Sequence, residues 1–386
     1  MKILHTSDWH IGKKLMNRER LDEQRAVLGE IADIVEREGV ELVLVAGDVY
    51  DTFLPQAEAE ELFFRTVRRL AGQDRAVLLI AGNHDDGVRL AASASLGEEL
   101  GVYIAGGNAS PLPAGGERAV HIAESGEGYA VFENAKGERV YVNLLPYPNE
   151  ARLKEEKTDE TFREKICRWL ARGQAAYKKD MPCILLSHLF VAGGSTSEGE
   201  RDIDLGGARA VELDWLPDCD YIALGHLHKK QHFSRKNVWD SGSVLQYSFD
   251  EAGSEKRVML LETDGKKLCS VREIPLTQGK RLVRLSADGV EEGLRLLEAN
   301  PDTHAELTLR LSSPLTSEET RALLAHKCLK SLVPVVAAEG TAAFTARRRE
   351  LTDGELFDEY YRSVYGADAE KELKTLFLEI LGEAAP

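Results

Sequence analysis

The feature that most constrains this chain is a set of short apolar runs that each end in an acidic, amide or imidazole side chain. The run at 42–46 is rich in β-branched residues and predicts a buried strand, with Asp48 just past its end. Four other predicted strands end in the same manner. The side chains at the five ends are Asp8 and His10, Asp48, Asn83 and His84, His188, and His226 and His228. Independent turns would not all recruit such groups, so we expect the five ends to converge on one site.

The first hundred residues alternate strands with helices. Apolar residues at helical spacing predict helices over 21–37 and 57–71, between predicted strands at 2–5, 42–46 and 76–81. This order is typical of an α/β layer, in which the loops at the carboxyl ends of the strands hold the site.

The middle of the chain is less regular. Residues 101–145 alternate short β-like runs with glycine-rich turns, which predicts a second, antiparallel-leaning sheet. A helix is predicted over 158–177 and strands over 183–188 and 221–224. The Gly-, Ser- and acid-rich residues 193–207 predict a mobile loop.

Three domains are predicted. Residues 1–275 form the main domain, 280–345 a small α+β capping domain, and 351–386 a pair of C-terminal helices with aromatic-rich apolar faces. Thr352 and Glu355 fit a capping box at the start of this pair. The helix pair could pack on the body of the protein or dock another protein, and the sequence favours neither.

Composition restricts the class of protein. With 43% hydrophobic residues among 386, the chain can bury a sizeable core. It has neither a signal-peptide pattern nor an apolar run near the roughly 18 residues of a membrane span, so we expect a cytoplasmic protein without membrane contact. Its five cysteines never form a CxxC pair, which predicts reduced thiols.

A net charge of −16 argues against a basic nucleic-acid binder, so any contact with nucleic acid must be local. Two basic clusters stand near the predicted site, and each could be a solvated loop or a contact for backbone phosphates. Their members are Lys13, Lys14, Arg18 and Arg20 after His10, and Lys229, Lys230, Arg235 and Lys236 after His228.

The residue types at the strand ends suit two divalent cations. Two such ions about 3.5–4 Å apart repel each other, so a bridging carboxylate and further oxygen and imidazole ligands are needed. Asp48 is the natural bridge. Asp8 with His10 would reach one centre if the segment is extended, or two neighbouring centres if it bends. A ligand set without thiolates favours Mn²⁺ or a similar ion over structural zinc.

Five motifs follow one another along the chain: D-x-H at 8–10, G-D-x-x-D at 47–51, G-N-H-D at 82–85, the lone His188, and G-H-x-H at 225–228. This combination resembles the calcineurin-like metallophosphoesterases. The resemblance implies a fold of mixed α+β and α/β character, a β-sandwich flanked by helices. The stretches 6–12, 46–51, 225–228 and 241–249 make the chain similar to the DNA-nuclease branch of that family.

The resemblance also implies roles for these residues. One ion would be held by Asp8, His10, Asp48 and His228, and the other by Asp48, Asn83, His188 and His226. His84 would face the scissile phosphate, where it stabilises developing charge or protonates the leaving oxygen. We expect Asp85 to orient His84, and Asp51 to order its loop without holding an ion.

The activity implied by the resemblance is that of a nuclease dependent on two Mn²⁺ or other divalent ions, cutting double-stranded DNA ends as an exonuclease and single strands and hairpins as an endonuclease. The implied setting is DNA repair, recombination and replication at the nucleoid. A homodimer is implied, bound to an SbcC-like coiled-coil ATPase through the C-terminal helices. Two alternatives remain, a small-molecule phosphodiesterase of the same superfamily and a non-catalytic scaffold with the same fold.

Overall fold

The computed structural model describes residues 1–107, 111–148, 159–197, 210–233, 237–336, 353–365, 369, 373–375 and 377. The chain divides into two compact units. The first comprises 1–284, 299–306 and 327–331, and the second comprises 285–298, 307–326 and the described residues from 332 onward. The three domains expected from the sequence stay a prediction.

The first unit is built on two sheets. In chain order its strands are β1 (Lys2–Thr6), β2 (Leu42–Ala46), β3 (Ala76–Ile80), β4 (Val102–Ala105), β5 (His121–Gly126), β6 (Tyr129–Glu133), β7 (Arg139–Leu145), β8 (Cys183–His188), β9 (Tyr221–Gly225), β10 (Gln231–Phe233), β11 (Val238–Asp240), β12 (Arg257–Thr263) and β13 (Leu268–Pro275). Six of them form one sheet in the order β13-β12-β1-β2-β3-β4, and seven form the other in the order β10-β11-β9-β8-β7-β6-β5.

Both sheets are mixed. Strands β1 to β4 are parallel, and β12 and β13 extend that sheet antiparallel to β1 and to each other. In the second sheet β7, β8, β9 and β11 are parallel, while β5, β6 and β10 pair antiparallel at the two edges. The parallel strands at the centre of each sheet carry the predicted site at their carboxyl ends.

The sheets pack face to face and helices cover their outer sides. Leu44 of the first sheet and Leu186 of the second share one buried cluster, as expected for side chains on the inner faces of a sandwich. On the other face of the first sheet, Val43 packs in a cluster with Phe63. On the other face of the second sheet, Trp169 packs in a separate buried cluster. The helices of this unit are α1 (Leu21–Glu38), α2 (Ala57–Ala71), α3 (Gly87–Ala91), α4 (Ala94–Glu98) and α5 (Phe162–Gln174). The predicted β-sandwich flanked by helices is confirmed.

The remaining strands form a three-stranded sheet in the order β14-β15-β16. They are β14 (Leu282–Asp288), β15 (His304–Leu311) and β16 (Leu329–Val336), and the later helices are α6 (Val290–Glu298), α7 (Ser317–Leu324) and α8 (Asp353–Tyr365). In the second unit Leu297, Leu309 and Leu323 are fully buried and form its small core.

The C-terminal helix prediction is tested only in part. Helix α8 runs within the predicted segment, and the ring of Phe357 stacks on Phe377 with 4.3 Å between centroids. The apolar face of α8 is therefore partly covered by the segment that follows it. The predicted cap at Thr352 lies outside the described residues, as does much of the second helix.

Several element bounds differ from those predicted. The helix expected over 158–177 begins only after Thr161, whose side chain forms a capping box with Glu164; residue 158 lies outside the described ranges, as do 198–207 of the predicted mobile loop. Strand β13 falls where no strand was predicted, because it is an edge strand with most side chains at least partly exposed and lacks a clear apolar alternation.

Candidate metal centre

The five predicted strand ends meet at one edge of the sandwich. Asp8 and His10 follow β1, Asp48 follows β2, and Asn83 and His84 follow β3, all in the first sheet. In the second sheet His188 is the last residue of β8, and His226 follows β9 directly. The parallel registers of β1 with β2 and of β8 with β9 bring these ends side by side. All the side chains expected to hold ions are buried, with at most 6% of their surface exposed.

The loops that carry these residues are bent rather than extended. The backbone φ is 50° at Asp8, 44° at His10, 49° at Asp48 and 112° at His226. Positive φ is uncommon for residues with a Cβ and is retained where the surrounding structure compensates for the strain. Of the two geometries that the sequence left open for the D-x-H segment, the structure adopts the bent one.

Two glycines permit the close approach of the strand ends. A Cβ on Gly47, whose φ is 84°, would overlap the ring of His188, and a Cβ on Gly82 would overlap the amide and carboxylate of Asp48. The glycines of the G-D and G-N-H motifs therefore serve packing between the two sheets and between neighbouring loops.

Asp48 lies between two groups of side chains. Its Oδ2 atom is 3.5 Å from His10 Nε2 and 3.5 Å from His188 Nε2. On the His188 side, Asn83 Oδ1 is 2.8 Å from His188 Nε2 and 3.1 Å from His226 Nδ1. On the His10 side, His10 Nε2 is 3.0 Å from His228 Nε2. We call Asp8, His10 and His228 the first half of the site, and Asn83, His188 and His226 the second half.

Among the residues that the structure describes, three sets of His and Asp ligand atoms are compact enough to hold an ion, each with its atoms within 4.8 Å of one another: Asp8, His10 and His228; His10, Asp48 and His84; and Asp8, Asp48 and His188. Asp8, His10 and Asp48 each belong to two of these sets. The set of Asp8, Asp48 and His188 connects the two halves.

Burial and mutual charge govern the electrostatics of the site. Burial lowers the pKa of His10 well below its usual value and that of His226 to about 3, so both rings are neutral. Burial and the charges of Asp240 and Asp48 raise the pKa of Asp8. Burial also acts to raise the pKa of Asp48, but the nearby histidines outweigh it and leave this carboxylate the more acidic of the two.

These donors fit divalent cations. His188 Nδ1 lies 2.8 Å from the carbonyl oxygen of Ala46 and must donate to it, so a neutral ring presents a lone pair at Nε2. That lone pair faces two oxygen atoms, Oδ1 of the Asn83 amide and Oδ2 of the Asp48 carboxylate. Acceptors that converge in a buried volume repel one another unless a cation lies among them. Oxygen and imidazole donors of this kind suit Mn²⁺, Mg²⁺ or Zn²⁺ with open positions.

His84 lies beside the two halves and is held by Asp51. Its Nδ1 atom is 2.8 Å from the carbonyl oxygen of Asp51, and its Nε2 atom is 4.0 Å from Asp48 Oδ2. The ring contacts that of His10 edge-on, with 4.7 Å between centroids.

Asp85 contacts the loop that carries Asp48, and the expectation that it orients His84 stays a prediction. The Asp85 carboxylate accepts hydrogen bonds from the backbone amides of Val49, Tyr50 and Gly82 at 2.9–3.1 Å. Asp85 therefore fixes the loop that carries Asp48, whereas the partner of His84 Nδ1 is the Asp51 carbonyl. The G-N-H-D motif shows that an acid follows His84. It does not show that the side chain of this acid turns back toward the loop after β2.

The sequence reasoning missed Glu251 and Lys256. Glu251 is fully buried, and its Oε1 atom is 3.3 Å from His228 Nδ1. Lys256 Nζ is 2.5 Å from Glu251 Oε2 and 2.8 Å from the carbonyl oxygen of His228. One signal was available, because Ser248-Phe249-Asp250-Glu251 has the spacing of a capping box and forms one.

The basic clusters near the site pair with acids. Lys13 Nζ is 2.9 Å from Asp51 Oδ1, and Lys230 Nζ is 2.8 Å from Glu273 Oε1. Arg20 is buried and pairs with Glu23. These contacts favour a structural role for Lys13, Lys230 and Arg20; Arg235 and Lys236 lie outside the described residues.

The helices of the described ranges include none that combines the length and the apolar character needed to cross a membrane.

Comparison with known proteins agrees with the geometry. The family model for calcineurin-like phosphoesterases matches residues 1–230, which contain every strand end described above. The chain is 34% identical to the SbcD subunit of the nuclease SbcCD from Bacillus subtilis (strain 168), over 98% of this chain and 97% of that protein. It is 36% identical to the SbcD subunit from Rhodobacter capsulatus, over 84% of this chain and 83% of that one. The SbcD subunit from Staphylococcus epidermidis is 28% identical, over 80% and 79% of the two chains. The chain belongs to the calcineurin-like phosphoesterase family, in the SbcD group that these bacterial proteins represent.

Proposed function

We propose that this protein is a DNA nuclease that uses two divalent cations, with Mn²⁺ as the working ion. The observation that carries the proposal is the position of Asp48 Oδ2, 3.5 Å from a histidine nitrogen of each half. The names of the relatives, which are nuclease subunits, support the choice of substrate.

The proposed assignment follows the two halves of the site. Asp8, His10 and His228 of the first half would hold one ion, Asn83, His188 and His226 of the second half would hold the other, and Asp48 would contribute to both sites. When bound, such ions supply Lewis-acid polarisation of the phosphate and a nucleophile from water at neutral pH. The bent loops fix these side chains before substrate arrives, so little reorganisation accompanies the reaction.

His84 is proposed to act on the substrate rather than on an ion. The Asp51 carbonyl holds Nδ1, which directs Nε2 toward the side of Asp48. As an imidazolium, with a proton on each nitrogen, His84 can from there donate a proton or a hydrogen bond to the oxygen of the scissile phosphodiester. Asp85 supports this arrangement through the loop it fixes.

We further propose exonuclease activity on double-stranded ends and endonuclease activity on single strands and hairpins, in DNA repair, recombination and replication at the nucleoid. The protein would act as a homodimer with an SbcC-like ATPase, for which residues 351–386 are the proposed dock. The relatives' names, which describe one component of a complex, support a partner of this kind.

The experiment compares wild-type protein with His84→Gln on linear and hairpin DNA with Mn²⁺, alone and with an SbcC-like partner. We expect wild-type cleavage and a loss of about 10²–10⁴-fold in the variant, the usual contribution of a general acid. Calorimetric titration should find the same two Mn²⁺ ions in both proteins.

Metal-loaded wild-type protein that cuts no DNA would refute the proposal, and cleavage of nucleotides without dependence on chain length would favour a small-molecule phosphodiesterase. Cleavage retained in the variant would refute the role of His84.

A further inference from the structure

The His228 ring is backed by a buried carboxylate outside the family motifs. Glu251 Oε1 is 3.3 Å from His228 Nδ1, and both side chains are at least 99% buried. Glu251 lies 23 residues further along the chain, in the short turn Phe249–Glu251. Glu251 also forms the capping box of this turn with Ser248, but that role alone does not require contact with His228.

The contacts of Glu251 indicate a carboxylate that only accepts hydrogen bonds. Its Oε1 atom accepts from the backbone amides of Tyr247 at 3.1 Å and Ser248 at 3.2 Å. Its Oε2 atom accepts from the ammonium group of Lys256 at 2.5 Å. The hydroxyls of Ser248 and Ser243 lie 3.1 and 3.3 Å from its oxygens. Donors thus surround the carboxylate, and His228 Nδ1 is the ring atom that must donate to it.

This contact determines which nitrogen of His228 faces the site. With its proton on Nδ1, a neutral ring has its lone pair on Nε2, the atom that lies 3.0 Å from His10 Nε2. A carboxylate behind a ligating imidazole fixes the ring orientation and increases the basicity of the opposite nitrogen.

Lys256 binds the main chain of His228. Its Nζ atom donates to the carbonyl oxygen of His228 at 2.8 Å and to Ser243 Oγ at 2.8 Å. The Glu251–Lys256 pair therefore restrains both the ring and the backbone of His228. A buried ion pair contributes little net stability because of its desolvation cost, so the effect of this pair is better sought in the geometry that it imposes on His228.

We propose that Glu251, together with Lys256, is a positioning residue that presents His228 Nε2 to a divalent cation in the first half of the site. This inference rests on the proposed function for the presence of the ion, but not for the cleavage of DNA. It assigns Glu251 no contact with substrate.

The test measures Mn²⁺ binding by calorimetry and by electron paramagnetic resonance in wild-type protein and Glu251→Gln. We expect one of the two ions to bind about 10–100-fold more weakly in the variant, as is typical when a carboxylate behind a ligand is lost. The spin-coupled signal of two neighbouring ions should give way to that of an isolated ion. Glu251→Asp, which keeps the charge, should restore part of the affinity.

The matched control is Glu23→Gln. Glu23 is also a carboxylate against an imidazole, with 2.7 Å between its Oε1 atom and His304 Nε2, and it pairs with Arg20. Its loss should lower stability without changing the binding of either ion. Wild-type affinity for both ions in folded Glu251→Gln would overturn the inference. A wild-type protein that binds two ions but cuts no DNA would refute the nuclease proposal alone.

A second measurement needs no variant of Glu251. Nitrogen-15 NMR of the histidine rings in wild-type protein, with His228 assigned through His228→Gln, reports which nitrogen carries the proton. The inference expects the Nδ1-protonated form, and a proton on Nε2 in the metal-free protein would overturn it even if Glu251→Gln failed to fold.

Discussion

The two halves of the site are supported in different ways. In the second half, the main-chain carbonyl of Ala46, the last residue of β2, holds His188 Nδ1 at 2.8 Å. In the first half, a side chain from a distant turn holds His228, and His10 Nδ1 lies 3.6 Å from the carboxylate of Asp51. The second half thus depends on the register of the sheets, and the first half on particular side chains. We expect backbone changes to damage the second half and charge changes to damage the first.

The largest effect should follow from Asp48→Asn, which removes the charge that the halves share. Both ions should bind more weakly and cleavage should fall by more than about 100-fold, since even changes behind a ligand typically cost 10–100-fold. Calorimetry and a cleavage assay check this. Asp86→Asn is the control, because Asp86 is a neighbouring helix N-cap and asparagine caps equally well. If one ion kept its full affinity in Asp48→Asn, Asp48 would belong to one half only.

A pair of variants separates the halves. His10→Ala should remove mainly the ion of the first half, and His188→Ala mainly the ion of the second, each leaving one Mn²⁺ per chain in a calorimetric titration. The reason is that the two rings belong to different halves and share only Asp48 Oδ2, which lies 3.5 Å from a nitrogen of each. His232→Ala, at an exposed position, serves as the control. Loss of both ions in either single variant would mean that the halves do not bind independently.

Gly47→Ala tests the dependence of the second half on the backbone. The added Cβ would overlap the His188 ring at a residue whose φ is 84°, so the loop or the ring must move. We expect a loss of about 1–3 kcal/mol in the free energy of unfolding, as for other overpacked sites. The ion of the second half should weaken more than that of the first.

The control for this variant is Gly107→Ala, since a Cβ added at Gly107 would have no atom within 4 Å and the residue has no positive φ. Denaturant unfolding and calorimetry give the two quantities. A Gly47→Ala protein with wild-type stability and metal binding would show that the close approach of β2 and β8 is dispensable.

The same contrast explains what could be predicted from the sequence. The strands that end at Asp48 and His188 were predictable, because their apolar runs and the polar residues after them are local patterns. Helix α2 was predicted with its observed bounds, since a regular apolar spacing covers its whole length. The gathering of five strand ends followed from the general rule for parallel strands.

The supports of the first half could not be predicted. Glu251 reaches His228, and Tyr247 donates to the carbonyl oxygen of Trp9, 238 residues earlier in the chain. Such contacts depend on tertiary structure, and no local pattern encodes them. The direction of the Asp85 side chain depends on tertiary structure in the same way, because it accepts from the amides of Val49 and Tyr50, 36 and 35 residues earlier in the chain.

An effect on stability alone, with no effect on the ions, concerns His5, which joins the strands that carry the two halves. His5 is buried in β1, and its Nε2 and Nδ1 atoms lie 3.0 Å from the carbonyl oxygen of Leu224 and the hydroxyl of Tyr221. Burial lowers its pKa to about 3 in the folded protein, against 6.5 for an exposed histidine. Between these values the unfolded chain binds a proton that the folded protein does not, so stability falls as the pH drops below 6.5. Each such proton contributes about 1.4 kcal/mol per pH unit.

Denaturant unfolding of the metal-free protein from pH 6.5 to 4.5 should therefore show a shallower slope of the free energy of unfolding against pH for His5→Gln than for wild type or for exposed His232→Gln. Equal slopes would mean that the seam between β1 and β9 tolerates a charged imidazole, and that the two halves are less rigidly joined than their buried contacts indicate.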